Sequence, residues 1–311
     1  MTVSHDEVHD QAIFARLAQK IAPGATLLRA WMLHGGVSAR VTALEIQHAD
    51  GHIHKLTVRQ HGAADLARDP GIAANEYALL QALHNAGLPV PQPCILDQSG
   101  ELFATPVVVS EYIEGETVSA LTDAPDFIAQ MVAHLALIHQ VDYHAPAFAV
   151  LPKLDETCAT ILSNRPATLD TLLEEGRIRD ALEAAWPWPR QNTSRLLHGD
   201  YWPGNILWRD GRLVGIIDWE DAAIGDPLAD LAITRLDLLW AYSMDAMRSF
   251  TDAYAATVPV DLSNLPYWDL CAALRPAGRL GVWAPDAAAE ARMRELHHLF
   301  VAQALDRLPV G

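Results

Sequence analysis

Lysine is scarce in this chain, with only Lys20, Lys55 and Lys153 among 311 residues. Acidic residues outnumber basic ones, and the net charge is −17. Surfaces that bind nucleic acid carry the opposite charge, so we expect no DNA or RNA partner. An acidic surface can attract a cationic substrate, but it can equally serve only to keep the protein soluble.

Cysteine and long apolar runs are also nearly absent. The three cysteines, at 94, 158 and 271, show no metal-binding spacing, which is typical of a reducing compartment. No stretch approaches the run of about 20 apolar residues that spans a bilayer. The polar, acidic segment 1–10 does not resemble a secretory signal. We therefore expect a cytoplasmic protein without a membrane partner.

The pattern of apolar residues changes along the chain. The early part predicts a small sheet with helices, and the part after Gly115 predicts mostly helices and one short strand pair. The early elements are a helix at 6–21, strands at 26–33, 40–47 and 52–59, a helix at 71–85, and strands at 94–97 and 106–112. The later ones are helices at 126–140, 168–185, 227–240, 244–256 and 286–308, with strands at 205–208 and 213–218. The class is α+β.

The most informative motif is His198-Gly199-Asp200, followed by Asn205. An aspartate with an asparagine five residues later is the spacing of a kinase catalytic loop. The strand pair that follows would bring Asn205 and Asp218 to the same edge of a hairpin. An amide oxygen and a carboxylate are hard ligands of the kind that Mg²⁺ takes. The alternative is a capped surface turn.

Three stretches together, 198–205, 215–221 and 225–230, resemble the aminoglycoside phosphotransferase family, which is related to choline, homoserine and macrolide kinases. The resemblance implies a two-lobed, protein-kinase-like fold. An N-terminal antiparallel sheet lobe with one main helix, 1–112, would bind nucleotide. A larger, mostly helical lobe, 113–311, would carry catalysis and the acceptor site. The implied reaction moves the γ-phosphate of ATP or GTP to an acceptor hydroxyl.

The catalytic roles follow from this resemblance and from the chemistry of phosphoryl transfer. Asp200 would act as the base that accepts the proton of the acceptor hydroxyl. Asn205 and Asp218 would hold Mg²⁺. His198 could transfer protons or brace the loop, and we favour bracing because Asp200 already fills the position of the base. Asp230 would support the catalytic loop.

Several early residues are candidates for the nucleotide. Gly35, Gly36 and Ser38 lie between two strands, where backbone N–H groups could approach phosphate oxygens, although a plain hairpin turn has the same pattern. The cation that pairs with the phosphates would be Arg59, at the end of the third strand, with Lys55 as the fallback. Arg59 could instead lie on a solvated strand face.

Three further residues complete the predicted nucleotide site. Glu76 would orient Arg59, as the helix glutamate does in kinases, but it could also be an exposed first-turn residue. The main chain at Glu111 and Ile113 could bind an adenine edge. Because side chains contribute little to that contact, ATP and GTP stay open.

Two other functions remain as alternatives. A non-catalytic nucleotide-binding regulator on the same fold would lack the base or a metal ligand. This chain has the candidate base, Asp200, and both candidate ligands, Asn205 and Asp218. A protein kinase is disfavoured, because an Ala-Pro-Glu motif and a long activation segment are missing.

The histidine-rich spots do not indicate zinc. The pairs at 52 and 54 and at 139 and 144 lack a third ligand at a known spacing. His297 and His298 are expected on a helix surface.

Overall fold

The computed structural model describes residues 5–33, 39–118 and 124–308. The chain divides into two compact units, Met1–Glu114 and Gly115–Gly311. The first unit contains the sheet, and the second contains most of the helices. In the described ranges, no helix combines the length and the apolar character that a membrane crossing requires.

In its described residues, the first unit consists of a five-stranded antiparallel sheet and three helices. Its helices are α1 (His5–Ile21), α2 (Ala63–Arg68) and α3 (Ile72–Asn85). Its strands are β1 (Thr26–Leu33), β2 (Ala39–Gln47), β3 (Ile53–His61), β4 (Pro93–Asp97) and β5 (Val107–Glu111). The strand order is β1-β2-β3-β5-β4. The expected sheet and its main helix, α3, are present, and the short α2 was not predicted.

The core of this unit lies between α1 and one face of the sheet. Phe14 and Leu17 of α1 are buried against a cluster that includes Leu56 and Val58 of β3. Because side chains alternate along a strand, Arg59 lies on the opposite face of the sheet. The packing of α1 therefore determines which face of β3 presents its basic residue.

Helix α3 begins where the sequence contains its start signal. Asp69 accepts a hydrogen bond from the N–H of Gly71 at 2.9 Å and another from the amide of Asn75 at 3.1 Å. The helix ends before Gly87, whose φ of +82° is readily adopted only by glycine. These signals place Glu76 in the first half of the helix.

The second unit contains eight helices and two strand pairs in its described part. The helices are α4 (Ala124–Ile138), α5 (Leu154–Ser163), α6 (Glu175–Ala185), α7 (Leu228–Ala241), α8 (Met244–Thr257), α9 (Leu265–Leu274), α10 (Leu280–Trp283) and α11 (Ala287–Asp306). The strands are β6 (Arg195–Leu197), β7 (Ile206–Arg209), β8 (Arg212–Ile216) and β9 (Ala223–Gly225). β6 pairs with β9 and β7 with β8, both antiparallel. The α+β class is confirmed.

Helix α7 lies at the centre of the second unit and packs against α8, α9 and α11. It is linked to α9 by a buried ion pair in which Arg235 donates to both carboxylate oxygens of Asp269, at 2.9 and 3.0 Å. A bidentate pair of this kind constrains both partners, so the positions of α7 and α9 are coupled.

Three sequence expectations for this unit were wrong. The helix predicted at 168–185 is interrupted by Glu174, whose φ of +56° lies in the left-handed region, and α6 begins only at the next residue. Helices α5, α9 and the short α10 were not predicted, and neither was the strand pair of β6 with β9. His297 is not on the surface: it is fully buried and its Nε2 contacts the main-chain oxygen of Leu173 at 3.2 Å. Only His298 is exposed, by about half.

We expect Leu17→Ala to lower the free energy of unfolding by about 2–5 kcal/mol, because it leaves a cavity between α1 and the sheet. Leu28→Ala, at a side chain that is 46% exposed, is the control and should have little effect. Chemical denaturation measures both. Equal losses in the two variants would show that α1 does not close this core.

Candidate active site

The loop that carries Asp200 is held at both ends by strands. β6 precedes it, and a short 3-10 turn at Pro203–Asn205 leads into β7. Gly199, in the loop, has a φ of +81°, and a Cβ added there would lie 1.9 Å from the main-chain oxygen of Asp221. Only glycine fits at this close approach. The loop therefore lies directly against the segment that follows Asp218.

Asp200 and Asn205 are brought into direct contact. The side-chain amide of Asn205 donates to Oδ2 of Asp200 at 2.9 Å and to its main-chain oxygen at 3.0 Å. Asn205 is 7% exposed, so its side chain is well fixed. Because the amide nitrogen is used in this way, the amide oxygen is the atom left to accept other contacts.

Asp218 lies beside this pair. Its neighbour Ile217 donates its N–H to the main-chain oxygen of Asn205 at 2.9 Å, which keeps the two candidate metal ligands on adjacent stretches of chain. Asp218 has a φ of +65°, a conformation that is uncommon for any residue except glycine. Such backbone strain is concentrated at functional sites, where the surrounding structure maintains it.

His198 has both ring nitrogens occupied by the main chain. Nδ1 accepts from the N–H of Asp200 at 3.2 Å, so Nε2 carries the proton and donates to the oxygen of Ile217 at 3.1 Å. Burial lowers the pKa of His198, against the opposing charges of Asp230 and Asp200. A neutral ring with two main-chain partners favours the bracing role.

Asp230 of α7 holds the catalytic loop by its main chain. Its two carboxylate oxygens accept the N–H groups of His198 and Gly199, both at 2.8 Å. The side chain is completely buried. Burial opposes ionisation, but the hydrogen bonds from His139 and from the main chain of His198 favour the charged form, and the pKa of Asp230 lies below its ordinary value. The carboxylate is therefore charged.

His139 and Tyr254 support this carboxylate, and the sequence did not reveal either role. Nε2 of His139 lies 3.1 Å from Oδ2 of Asp230, and its Nδ1 lies 2.7 Å from the hydroxyl of Tyr254. Since a carboxylate only accepts, Nε2 is the donor. Burial raises the pKa of Tyr254, so its hydroxyl stays protonated and can donate to Nδ1. His139 immediately follows α4 and Tyr254 lies in α8, and no local motif connects these two segments with Asp230.

Arg275 is the main site residue that sequence reasoning missed. It caps α9, and its Nη2 donates to Oδ1 of Asp200 at 2.7 Å and lies 3.5 Å from Oδ2 of Asp221. Burial lowers the pKa of Arg275, but the carboxylates of Asp200, Asp237 and Asp221 outweigh it and the pKa is raised. No local signal connects residues 75 positions apart.

Helix α7 presents three residues to this region at helical spacing. Asp230, Thr234 and Asp237 lie four and three residues apart, on one face of the helix. Thr234 donates to the main-chain oxygen of Tyr201 at 2.6 Å. Burial raises the pKa of Asp237 to about 7; the charge of Asp200 adds to this rise and that of Arg275 opposes it.

The first unit brings two of its predicted residues together. Nε of Arg59 lies 3.4 Å from Oε1 of Glu76, and both side chains are less than one-fifth exposed. The other oxygen of Glu76 contacts Nε2 of His61 at 2.7 Å. Lys55, the fallback cation, pairs instead with Glu114.

The remaining predicted residues divide into two groups. The N–H of Glu111 donates to the oxygen of Gln92 within the sheet, whereas no hydrogen bond of the Ile113 main chain is found in the described part of the chain. Gly35, Gly36 and Ser38 lie outside the described residues.

Comparison with known sequences adds independent information. The model of a family described as the phosphotransferase enzyme family matches residues 33–274. Acyl-CoA dehydrogenase family member 10 of Mus musculus is 25% identical over 217 residues, covering 64% of this chain but only 20% of that protein. Homoserine kinase of Beijerinckia indica is 32% identical over 167 residues, which is half of each chain. The chain thus spans a fifth of the first relative and half of the second.

Comparison with solved structures confirms the expected fold. The GDP complex of aminoglycoside 2'-phosphotransferase-IIIa superposes with a TM-score of 0.65 and 17% identity, covering 94% of this chain and 99% of that one. At this identity the likeness shows the fold alone. The resemblance inferred from the motifs is therefore supported by sequence and by architecture.

We expect Asp237→Asn to gain stability relative to the unsubstituted protein as pH rises. The folded protein keeps the proton of Asp237 up to about pH 7, whereas the unfolded chain loses it near 3.8. The folded state thus binds more protons between these values, and the stability of the unsubstituted protein falls as pH rises through them. Asparagine has no such proton. The free energy of unfolding of the variant, relative to that of the unsubstituted protein, should therefore rise by about 1–3 kcal/mol over this range.

Denaturation of both proteins at intervals from pH 4 to 8 measures this difference. Asp252→Asn, at an exposed position of α8, is the control. A difference that stays constant across the range would mean that Asp237 is not the group that titrates near neutrality.

Proposed function

We propose that this chain, which belongs to the phosphotransferase enzyme family, moves the γ-phosphate of ATP or GTP to a hydroxyl of a small-molecule acceptor. The observation that carries the proposal is the contact of Asp200 with Asn205, on a loop fixed by Asp230 and beside Asp218. Phosphoryl transfer requires mainly positioning and charge neutralisation. This arrangement offers both.

Asp200 is the proposed base. Its carboxylate is partly exposed, at 27%, so a hydroxyl can reach it. Each carboxylate oxygen can accept more than one hydrogen bond, and the contacts to Asn205 and Arg275 leave acceptor capacity for the proton of the acceptor. His198 serves this base indirectly, because it fixes the main chain of the same loop.

Asn205 and Asp218 are the proposed ligands of a magnesium ion. The amide nitrogen of Asn205 is bound to Asp200, which leaves the amide oxygen for a cation, and Asp218 follows the residue that is hydrogen-bonded to Asn205. One amide oxygen and one carboxylate fit Mg²⁺, whose remaining positions are usually taken by water and phosphate. When bound, the ion would neutralise charge on the transferring phosphoryl group.

The first unit, residues 1–112 in our assignment, is proposed to bind the nucleotide. Arg59, oriented by Glu76, would pair with phosphate oxygens, which suits a guanidinium group. The main chain at Glu111 and Ile113 would bind the base. Backbone N–H groups at 35–38 are proposed for the phosphates on sequence grounds alone.

The acceptor is proposed to be a hydroxylated small molecule. The relatives named above phosphorylate homoserine and an aminoglycoside by their names, and the net charge of −17 would favour a cationic acceptor. Three free cysteines are consistent with a cytoplasmic location.

A thermal-shift screen with Mg-ATP and Mg-GTP, followed by a nucleoside-diphosphate-release assay over a panel of hydroxylated metabolites and antibiotics, tests this function. We expect stabilisation by one nucleotide and release that depends on one acceptor. Stabilisation without transfer would favour the non-catalytic alternative. If neither stabilisation nor transfer is observed, both the phosphotransferase function and the non-catalytic alternative are contradicted.

We expect Asp200→Asn to reduce turnover by about 10²–10⁴-fold, because the base can no longer accept a proton. Nucleotide binding should change little, as the substitution preserves size and does not affect the first unit. Asp210→Asn, in an exposed hairpin turn, is the matched control. Turnover equal to that of the control would refute the assignment of Asp200.

We expect Asp218→Ala to abolish activity at every magnesium concentration that supports the unsubstituted protein, because one of two protein ligands is lost. Asp252→Ala, on the exposed face of α8, controls for the loss of a carboxylate. Titration of turnover against magnesium measures the effect. An unchanged magnesium dependence would remove Asp218 from the site.

A further inference from the structure

The carboxylate of Asp200 is held from two sides. Oδ2 accepts from Asn205, five residues along the same loop, and Oδ1 accepts from Arg275, at the end of α9. The χ2 torsion of an aspartate is otherwise broad, so a single donor would leave the group free to rotate. Two donors on opposite oxygens fix the plane of the carboxylate.

Arg275 is itself held in place by helix packing. It immediately follows α9, which is bound to α7 through the buried pair of Asp269 and Arg235. α7 also carries Asp230, which fixes the main chain of the catalytic loop. One helix thus sets both the loop that carries Asp200 and, through α9, the guanidinium that contacts its side chain.

The carboxylates around Arg275 bind its guanidinium group with unequal strength. Its Nη2 contacts the carboxylates of Asp200 and Asp221, and the carboxylate of Asp237 also acts on it. Asp221 is 59% exposed, so solvent weakens its hold on the guanidinium. The contact with Asp200 is the shorter and the better shielded of the two, and it is where Arg275 is anchored.

We propose that Arg275 is a positioning residue of the phosphoryl transfer, which holds the carboxylate of Asp200 in the orientation that meets the acceptor hydroxyl. It acts through Asp200 and not on the nucleotide, which the first unit is proposed to bind. This role rests on the proposed function. It requires that the loss of Arg275 affect turnover and leave nucleotide affinity nearly unchanged.

The test compares Arg275→Ala, Arg275→Lys and Arg279→Ala in the full chain. Arg279 is exposed and four residues further on, which makes it a matched control. We expect Arg275→Ala to reduce kcat by about 10–100-fold with KM for the nucleotide within about twofold, since reactive-group orientation is lost while binding is kept. Arg275→Lys should recover part of kcat, because it restores the charge but not the guanidinium geometry.

Chemical rescue separates positioning from a general structural effect. Guanidinium chloride at about 50 mM, far below denaturing concentrations, should raise kcat of Arg275→Ala several-fold and leave Arg279→Ala unchanged. In a chain that already carries Asp200→Asn, Arg275→Ala should cause no further loss of kcat. Loss of nucleotide affinity equal to the loss of kcat, or additive losses in the double variant, would overturn the proposal.

A stability measurement, which does not depend on activity, separates a failure of this proposal from a failure of the proposed function. If Arg275 contacts Asp200, the shifts in unfolding midpoint caused by Arg275→Ala and Asp200→Asn should not add in the double variant. Additive shifts would overturn the contact, whatever the activity. Non-additive shifts, in a protein that transfers no phosphate to any acceptor of the panel, would overturn the proposed function and the positioning role of Arg275 together.

Discussion

A buried carboxylate determines the geometry of the candidate active site. Asp230 accepts two main-chain N–H groups of the catalytic loop and has no contact with solvent. A buried charge is tolerated only when its hydrogen bonds are satisfied, and here His139 supplies a third donor. Because the loop is bound by its main chain, its shape does not depend on the side chain of Asp200, which stays available for chemistry.

Helix α7 extends this control beyond the loop. The same helix provides Asp237 toward the catalytic region and, through Arg235, fixes the helix that ends at Arg275. Several carboxylates and one guanidinium are thereby gathered in a partly shielded region. In such surroundings charges interact more strongly than in water, so small changes in their arrangement have large effects. This concentration of charge is costly for stability and is typical of functional sites.

The motifs predicted the central loop and most of the elements in their order along the chain, because those signals are local. Asp69 and Gly87 marked the ends of α3, and the alternation of β3 placed Arg59 on the face opposite the core. Helix α9 was missed because it is apolar on nearly every side and so shows no stripe, and α5 was missed because no capping side chain marks its start. His297 was misplaced because burial depends on what packs over a helix, here the turn at Leu173.

The sequence by itself determined the class of the fold, its relation to phosphotransferases, and the spacing of Asp200 and Asn205, since each depends on residues close together in the chain. Only the tertiary structure decided the partners of those residues. Arg275 meets Asp200 across 75 positions, and His139 meets Asp230 across 91. Such pairs form because the helices pack in one particular arrangement. Packing depends on the fit of whole surfaces, whose residues are distant in the sequence, so no short segment predicts it.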